Sequence, residues 1–157
     1  MEITVCFTGH RHIPERDASR LQQKLEDTVE MLIQNGATVF RAGGELGFDT
    51  MAALAVLSAK RRYPEVRLEL ILPCPTQTRG WKLSDKQFYG QILSLADSHR
   101  YVSPNYFNGV LQVRNRALVQ DADVCVAYLT TSSGGTAYTA SLALKQGLKL
   151  INLQDML

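Results

Sequence analysis

Short apolar runs alternate with longer stretches of helical spacing along the whole chain. Residues 2 to 7 form an apolar strand that empties into Thr8-Gly9-His10-Arg11-His12. Leu21, Leu25, Thr28, Val29, Leu32 and Ile33 then fall on one helical face, and Asn35-Gly36 supplies the left-handed stop expected after it. A second strand, Ala37-Thr38-Val39-Phe40, breaks at a glycine pair and restarts as an Ala/Leu-rich helix from about Phe48 to Arg61. The third strand, Val66 to Leu72, ends at Pro73-Cys74-Pro75, where neither proline can donate to a ladder. A long loop with Gln77, Arg79, Trp81 and Lys82 follows, then Ser84-Asp85-Lys86-Gln87, which reads as a capping box. Phe88, Ile92 and Leu95 mark the expected buried face of the helix behind it. A short strand at 99 to 102, a helix within Tyr106 to Gln120, a strand at Asp123 to Leu129, a helix through Lys145 and a last strand at Leu148 to Leu153 complete the pattern.

This alternation predicts an α/β class: one domain over residues 1–157, doubly wound, with a mainly parallel sheet and helices on both faces. A chain of 157 residues with 45% hydrophobic content suits one packed core system and not two domains. Sheets of this kind bind ligands outside the carboxyl ends of their strands, where strand order reverses. Three glycine-bearing strand exits are expected at that edge: Thr8-Gly9-His10-Arg11, Gly43-Gly44-Glu45-Leu46-Gly47 and Ser132-Ser133-Gly134-Gly135-Thr136.

Glycines let a backbone approach a ligand closely, and the free amides at the start of the following helix favour an anion. The second turn spells G-G-x-x-G and lacks the P-loop lysine, so it meets neither the dinucleotide nor the ATP fingerprint. At the third exit the hydroxyls of Thr131, Ser132, Ser133 and Thr136 surround two glycines, a strong anion signal whose alternative is an ordinary capped loop. Arg11 is a candidate phosphate partner. His10 and His12 have no further ligands at metal spacing, so no metal is expected. Arg114 lies at helical spacing between Leu111 and Leu118, and an inward arginine needs an acidic neighbour or a ligand. The candidate ligand set is therefore Thr8, Gly9, His10, Arg11, Gly43, Gly44, Glu45, Gly47, Asp49, Arg114, Ser133, Gly134, Gly135 and Thr136.

Charge narrows the partners. Seventeen Lys and Arg against fifteen Asp and Glu leave a formal charge of +2, so no global basic field argues for nucleic acid or an anionic membrane. No segment has the length and apolarity of a membrane span, and the N-terminus does not read as a signal peptide. Cys6, Cys74 and Cys125 are odd in number and far apart, which suits buried thiols in a reducing cytoplasm.

Several of these stretches together resemble the SLOG superfamily of Rossmann-like domains, in its YpsA-like branch. Thr8-Gly9-His10-Arg11 stands at the branch's first glycine turn, and Gly44-Glu45-Leu46-Gly47-Phe48-Asp49-Thr50-Met51-Ala52-Ala53 at its Gly-x-Leu-Gly element and alanine-rich helix. Tyr63-Pro64, Pro73, Trp81 and Gly134-Gly135-Thr136 follow in the same order. The resemblance implies a domain that binds or senses a nucleotide or nucleotide derivative, without a cofactor, acting with a protein partner or as a homo-oligomer. The LOG enzymes of the same superfamily remove a base from a nucleoside monophosphate, so an N-glycosidic hydrolase or transferase is the alternative. In that case the resemblance makes Arg114, Asp49 and Glu45 the candidate catalytic groups. Thr139, however, stands where those enzymes carry a glutamate, and a threonine cannot offset charge at a ribosyl centre.

Overall fold

The computed structural model describes residues 2–157. Strand and helix alternate as β1 (Ile3–Gly9), α1 (Glu15–Gln34), β2 (Ala37–Ala42), α2 (Phe48–Ala59), β3 (Arg67–Leu72), α3 (Leu83–Leu95), β4 (Ser98–Tyr101), α4 (Val110–Val119), β5 (Val124–Tyr128), α5 (Gly135–Lys145) and β6 (Lys149–Asn152). A 3-10 turn, Leu153–Met156, follows. The strands form one sheet in the order β4-β3-β2-β1-β5-β6, and every neighbouring pair is parallel. The chain is thus the α/β, Rossmann-like fold that its alternation predicts.

Period-two alternation sends strand side chains into two separate cores. Val5 and Phe7 of β1, Leu68, Leu70 and Leu72 of β3, and Val124, Val126 and Tyr128 of β5 join the core packed on α1 and α2. Cys6, Ile71 and Cys125, at intervening positions, join a smaller core with Leu118, Val119 and Ala143 of α4 and α5. Covering both faces requires strands that are apolar throughout, which is why β5 is buried along its whole length. Helix α1 buries the stripe Leu21, Leu25, Thr28, Val29 and Leu32. It packs on the small side chains of α2, where Ala52, Ala53, Ala55 and Ala59 are buried.

Strand order reverses around β1, with β2 on one side and β5 on the other. The exits of those three strands are therefore neighbours. Across the sheet, the Arg41 guanidinium of β2 donates to the carbonyls of Leu118 and Gln120, satisfying the C-terminal end of α4 with a cation. This tie holds α4 in place so that its earlier turns reach the carboxyl edge of the sheet.

The second half of the chain departs from the sequence expectation in detail. Helix α3 starts at Leu83 after Lys82 with no side-chain cap, so Ser84 lies inside the helix and the capping box does not form. Of the expected stripe only Ile92 is buried; Phe88 is 40% and Leu95 61% exposed. The face that packs on the core is Tyr89, Ile92, Leu93 and Ala96, the same helical spacing rotated by about one residue, or 100°. Helix α4 begins only at Val110, after Gly109, which leaves Tyr106 and Phe107 in an exposed loop. Strand β6 is shorter than expected because the 3-10 turn takes over at Leu153.

The rotated stripe is testable by urea unfolding. Ile92→Ala should cost about 2 to 4 kcal/mol through lost burial and a residual cavity, whereas Leu95→Ala should stay within about 0.5 kcal/mol. Equal losses would return the packing face to the one the sequence suggests.

Candidate functional site

One histidine holds the three exits together. The Phe48 amide donates to the His10 carbonyl at 3.1 Å, and the Thr130 amide donates to His10 Nε2 at 2.9 Å. The first turn is thereby stapled to the second and to the third. An accepting Nε2 requires a neutral ring, in keeping with burial, which lowers the His10 pKa. Gly47, the residue before α2, has φ +80, and a side chain there would run into the Arg11 carbonyl. The staple and this close contact fix how the turns face one another.

Between them lies a cleft of about 420 Å³. Its walls include Thr8, Gly9, His10 and Arg11 from the first exit, Glu45 and Asp49 from the second, and Ser133, Gly134, Gly135 and Thr136 from the third. Arg114 closes it from α4. The N-terminus of α5 carries no side-chain cap, so its first amides keep their donors for a ligand or for water.

Arg114 and Asp49 form the buried floor, 5% and 7% exposed respectively. Arg114 Nε donates to Asn115 Oδ1 at 2.9 Å, and NH1 donates to the Gly43 carbonyl at 2.5 Å. Its other N–H groups have no hydrogen-bond partner among the described residues, and no carboxylate there lies within 4.0 Å of it. Asp49 Oδ2 accepts from the Glu45 amide at 3.2 Å. Burial pushes its carboxyl up to about 6, against the opposing pull of the Arg114 charge and the Glu45 amide. Gly43 makes the arrangement possible: a side-chain carbon there would sit 2.8 Å from both Arg114 NH1 and Asp49 Oδ2.

Of the residues singled out in the sequence, Gly43, Gly44 and Gly47 are not among the cleft's walls. Gly43 and Gly44 carbonyls accept from Gln77, whose Oε1 accepts in turn from the Tyr89 hydroxyl, so these glycines serve close packing of the turn. Thr139 is fully buried, and its hydroxyl donates to the Gly135 carbonyl within α5. It does not line the cleft. Asn115 and Gln112 do, and neither is among the residues that the glycine turns and helical spacing single out. The signal for Asn115 was its place in the polar interruption Arg114-Asn115-Arg116 of an otherwise apolar helix. Asn115 Oδ1 accepts from Arg114 Nε, and its Nδ2 lies 3.8 Å from where a Gly135 side-chain carbon would sit.

The raised Asp49 pKa sets a pH dependence. The folded protein takes up this proton at about 6 and the unfolded chain near 3.8, so the folded state binds more protons between those values. Asp49's contribution to stability is fully present below the lower value and is lost as pH climbs through the upper one, by about 3 kcal/mol. Unfolding of the wild type and of Asp49→Asn, compared from pH 3.5 to 7, should give a difference that changes by that amount across the window. A flat difference would exclude the raised pKa.

The chain has known relatives. The family model described as the YspA SLOG family matches residues 6–153. A UPF0398 protein of Halalkalibacterium halodurans is 28% identical over 141 residues, covering 88% of this chain and 73% of that protein. A UPF0398 protein of Bacillus thuringiensis is 26% identical over 134 residues, covering 81% and 71%. Among solved structures, DNA processing protein A of Helicobacter pylori, described for its single-stranded DNA binding mode, matches with a TM-score of 0.65 at 20% identity. DprA of Streptococcus pneumoniae matches with a TM-score of 0.54 at 14% identity. The matches cover 94% and 99% of this chain, which spans 63% and 60% of those two proteins. At such identities the likeness is one of fold. The family match, which runs through all six strands and ends at Leu153, is of another kind: this chain belongs to the YspA SLOG family.

Proposed function

We propose that the protein binds a nucleotide or nucleotide derivative in the cleft at the carboxyl edge of its sheet, and that occupancy is sensed by a protein partner or a further copy of the chain. The observation that carries this reading is Arg114: a buried guanidinium with open donors and no carboxylate within 4.0 Å among the described residues. A buried cation of this kind is expensive without an anion. The uncapped start of α5 borders the same cleft, so a phosphate held by Ser133, Gly134, Gly135 and Thr136 would meet both a helix dipole and that cation. Glu45 and Asp49 line the same cleft, and on this reading they accept ribose hydroxyls.

The ligand on this reading is a small molecule and not a polynucleotide. A net charge of +2 offers little for a phosphate backbone. The likeness to a single-stranded-DNA-binding protein supports the fold, at 20% identity. Three buried free thiols favour a reducing compartment, the cytoplasm, and no described helix is long and apolar enough to cross a membrane.

A second reading, N-glycosidic hydrolysis or transfer on a nucleoside phosphate, draws on the buried Asp49. A carboxyl raised to about 6 beside a cation in a cleft has the character of a catalytic acid or base. Thr139 offers this reading nothing, since its hydroxyl is engaged within α5.

Gly135→Asp tests the phosphate site. The nearest atom to a side-chain carbon at Gly135 is 3.8 Å away, and an acid in the first turn suits a helix N-terminus, so the variant should fold. Calorimetry against nucleoside monophosphates should then lose binding by at least tenfold, while a single-stranded oligonucleotide binds neither protein tightly. Unchanged affinity in the folded variant would remove the phosphate site. Chromatographic detection of free base from those monophosphates, lost in Asp49→Asn, would replace the sensing reading by the hydrolytic one.

A further inference from the structure

A second compartment of about 470 Å³ adjoins the cleft and shares Arg11, Glu45 and Leu111 with it. Its character differs. The first compartment is built from turn backbone, hydroxyls and a buried ion-bearing floor, whereas the second sets Trp81, Tyr106 and Val110 beside Thr76, Gln77 and Arg79. Tyr106 and Leu111 are large apolar side chains left exposed beside it.

The Trp81 ring is held in place by its surroundings. A run of tight turns, Gln77 N to Cys74 O, Arg79 N to Thr76 O and Trp81 N to Thr78 O, carries the chain from the end of β3 to the tryptophan. Tyr89 packs against the indole at 5.7 Å between centroids. Gln77 ties the same loop back to the second glycine turn through the Gly43 and Gly44 carbonyls. On the cleft side, the Arg11 guanidinium sits 5.8 Å from the indole centroid and 3.8 Å from Glu45. The guanidinium covers the indole face turned toward the junction of the two compartments, so a base stacking on that face takes the place of Arg11.

We infer that this second compartment is a base subsite, in which a planar nucleobase stacks on Trp81 while its phosphate occupies the neighbouring glycine-turn cleft. The inference rests on the nucleotide reading and extends it to the base. A rigid aromatic ring at the rim of an anion site is the arrangement by which proteins hold a base without reading its sequence, since every base has a π face. Gln77 is engaged through both ends and Thr76 with Cys74 Sγ at 3.6 Å, which leaves Arg79 as a lining side chain without a partner among the described residues. Stacking on the indole grows with ring area, so purines bind better than pyrimidines, and Arg79 is the side chain free to meet a base edge.

Trp81 is the only tryptophan in the chain, so tryptophan emission reports on this ring, and ribose 5-phosphate controls for changes that reach it through Arg11. The probes are AMP, GMP, CMP, UMP and ribose 5-phosphate, which keeps the sugar phosphate and lacks the base. Purine monophosphates should change Trp81 emission and bind at least tenfold tighter than ribose 5-phosphate by calorimetry. Trp81→Leu should reduce them to the ribose 5-phosphate level, a loss of about ten- to a hundredfold, without altering ribose 5-phosphate binding. Trp81→Phe should recover part of the loss, which separates stacking from a structural effect. Nucleotide binding that leaves Trp81 emission unchanged and is indifferent to Trp81→Leu overturns the base subsite. Equal affinities for nucleotides and ribose 5-phosphate overturn it as well. Gly135→Asp tells the two readings apart: ribose 5-phosphate affinity unchanged by it refutes the phosphate site, whatever Trp81 does. No binding by any of the five probes overturns both.

Discussion

Arg114 can reach its buried place in this protein because Gly43 has no side chain. The guanidinium of α4 reaches across the sheet edge to the Gly43 carbonyl, over the space a side-chain carbon would fill, with Asp49 on the far side of the same gap. Two opposite charges are thus kept in one poorly solvated pocket without a direct pair, each partly compensated by backbone dipoles. Such a floor tolerates an incoming anion better than a closed salt bridge would. The guanidinium does not have to break a carboxylate contact to receive it.

Everything around that floor serves to keep it at the reversal of strand order. Placing β1 between β2 and β5 makes three exits adjacent, and His10 joins them through one backbone and one side-chain acceptor. The Arg41 tie at the other end of α4 fixes the helix that carries Arg114. The cleft is consequently assembled from elements far apart in sequence, and its parts depend on parallel pairing before they can meet. The β3 loop adds the aromatic wall, anchored to the second turn by Gln77.

Much of this was legible in the chain. Strand and helix order, the single domain, the three glycine turns at one edge and the inward Arg114 all follow from local pattern, because apolar period and turn chemistry are properties of neighbouring residues. Where local pattern was ambiguous it misled. The α3 stripe rotated by one residue because Phe88, Tyr89, Ile92, Leu93 and Leu95 offer two apolar faces of similar strength, and only the position of α2 and the sheet selects between them. The capping box failed for a related reason: a side-chain cap forms only where the chain enters the helix, and the turns ending at Trp81 bring it in at Leu83.

The sequence by itself determined which residues carry charge, hydroxyls and glycine flexibility, and the order in which strands present them. What only the tertiary structure decided is which of those groups face the cleft. Gly43, Gly44 and Gly47 read as phosphate-cradling glycines, yet they are absent from the cleft's walls, and close approach of Arg114, Leu72 and the Arg11 backbone accounts for them. Thr139 read as a vacant catalytic position and lies buried against its own helix. Asn115 and Trp81 gain their places from the packing of α4 and the β3 loop. The reason is physical. A residue's type and spacing set its local conformation, but the direction it faces depends on contacts across β1, β2 and β5, between segments up to about 120 residues apart.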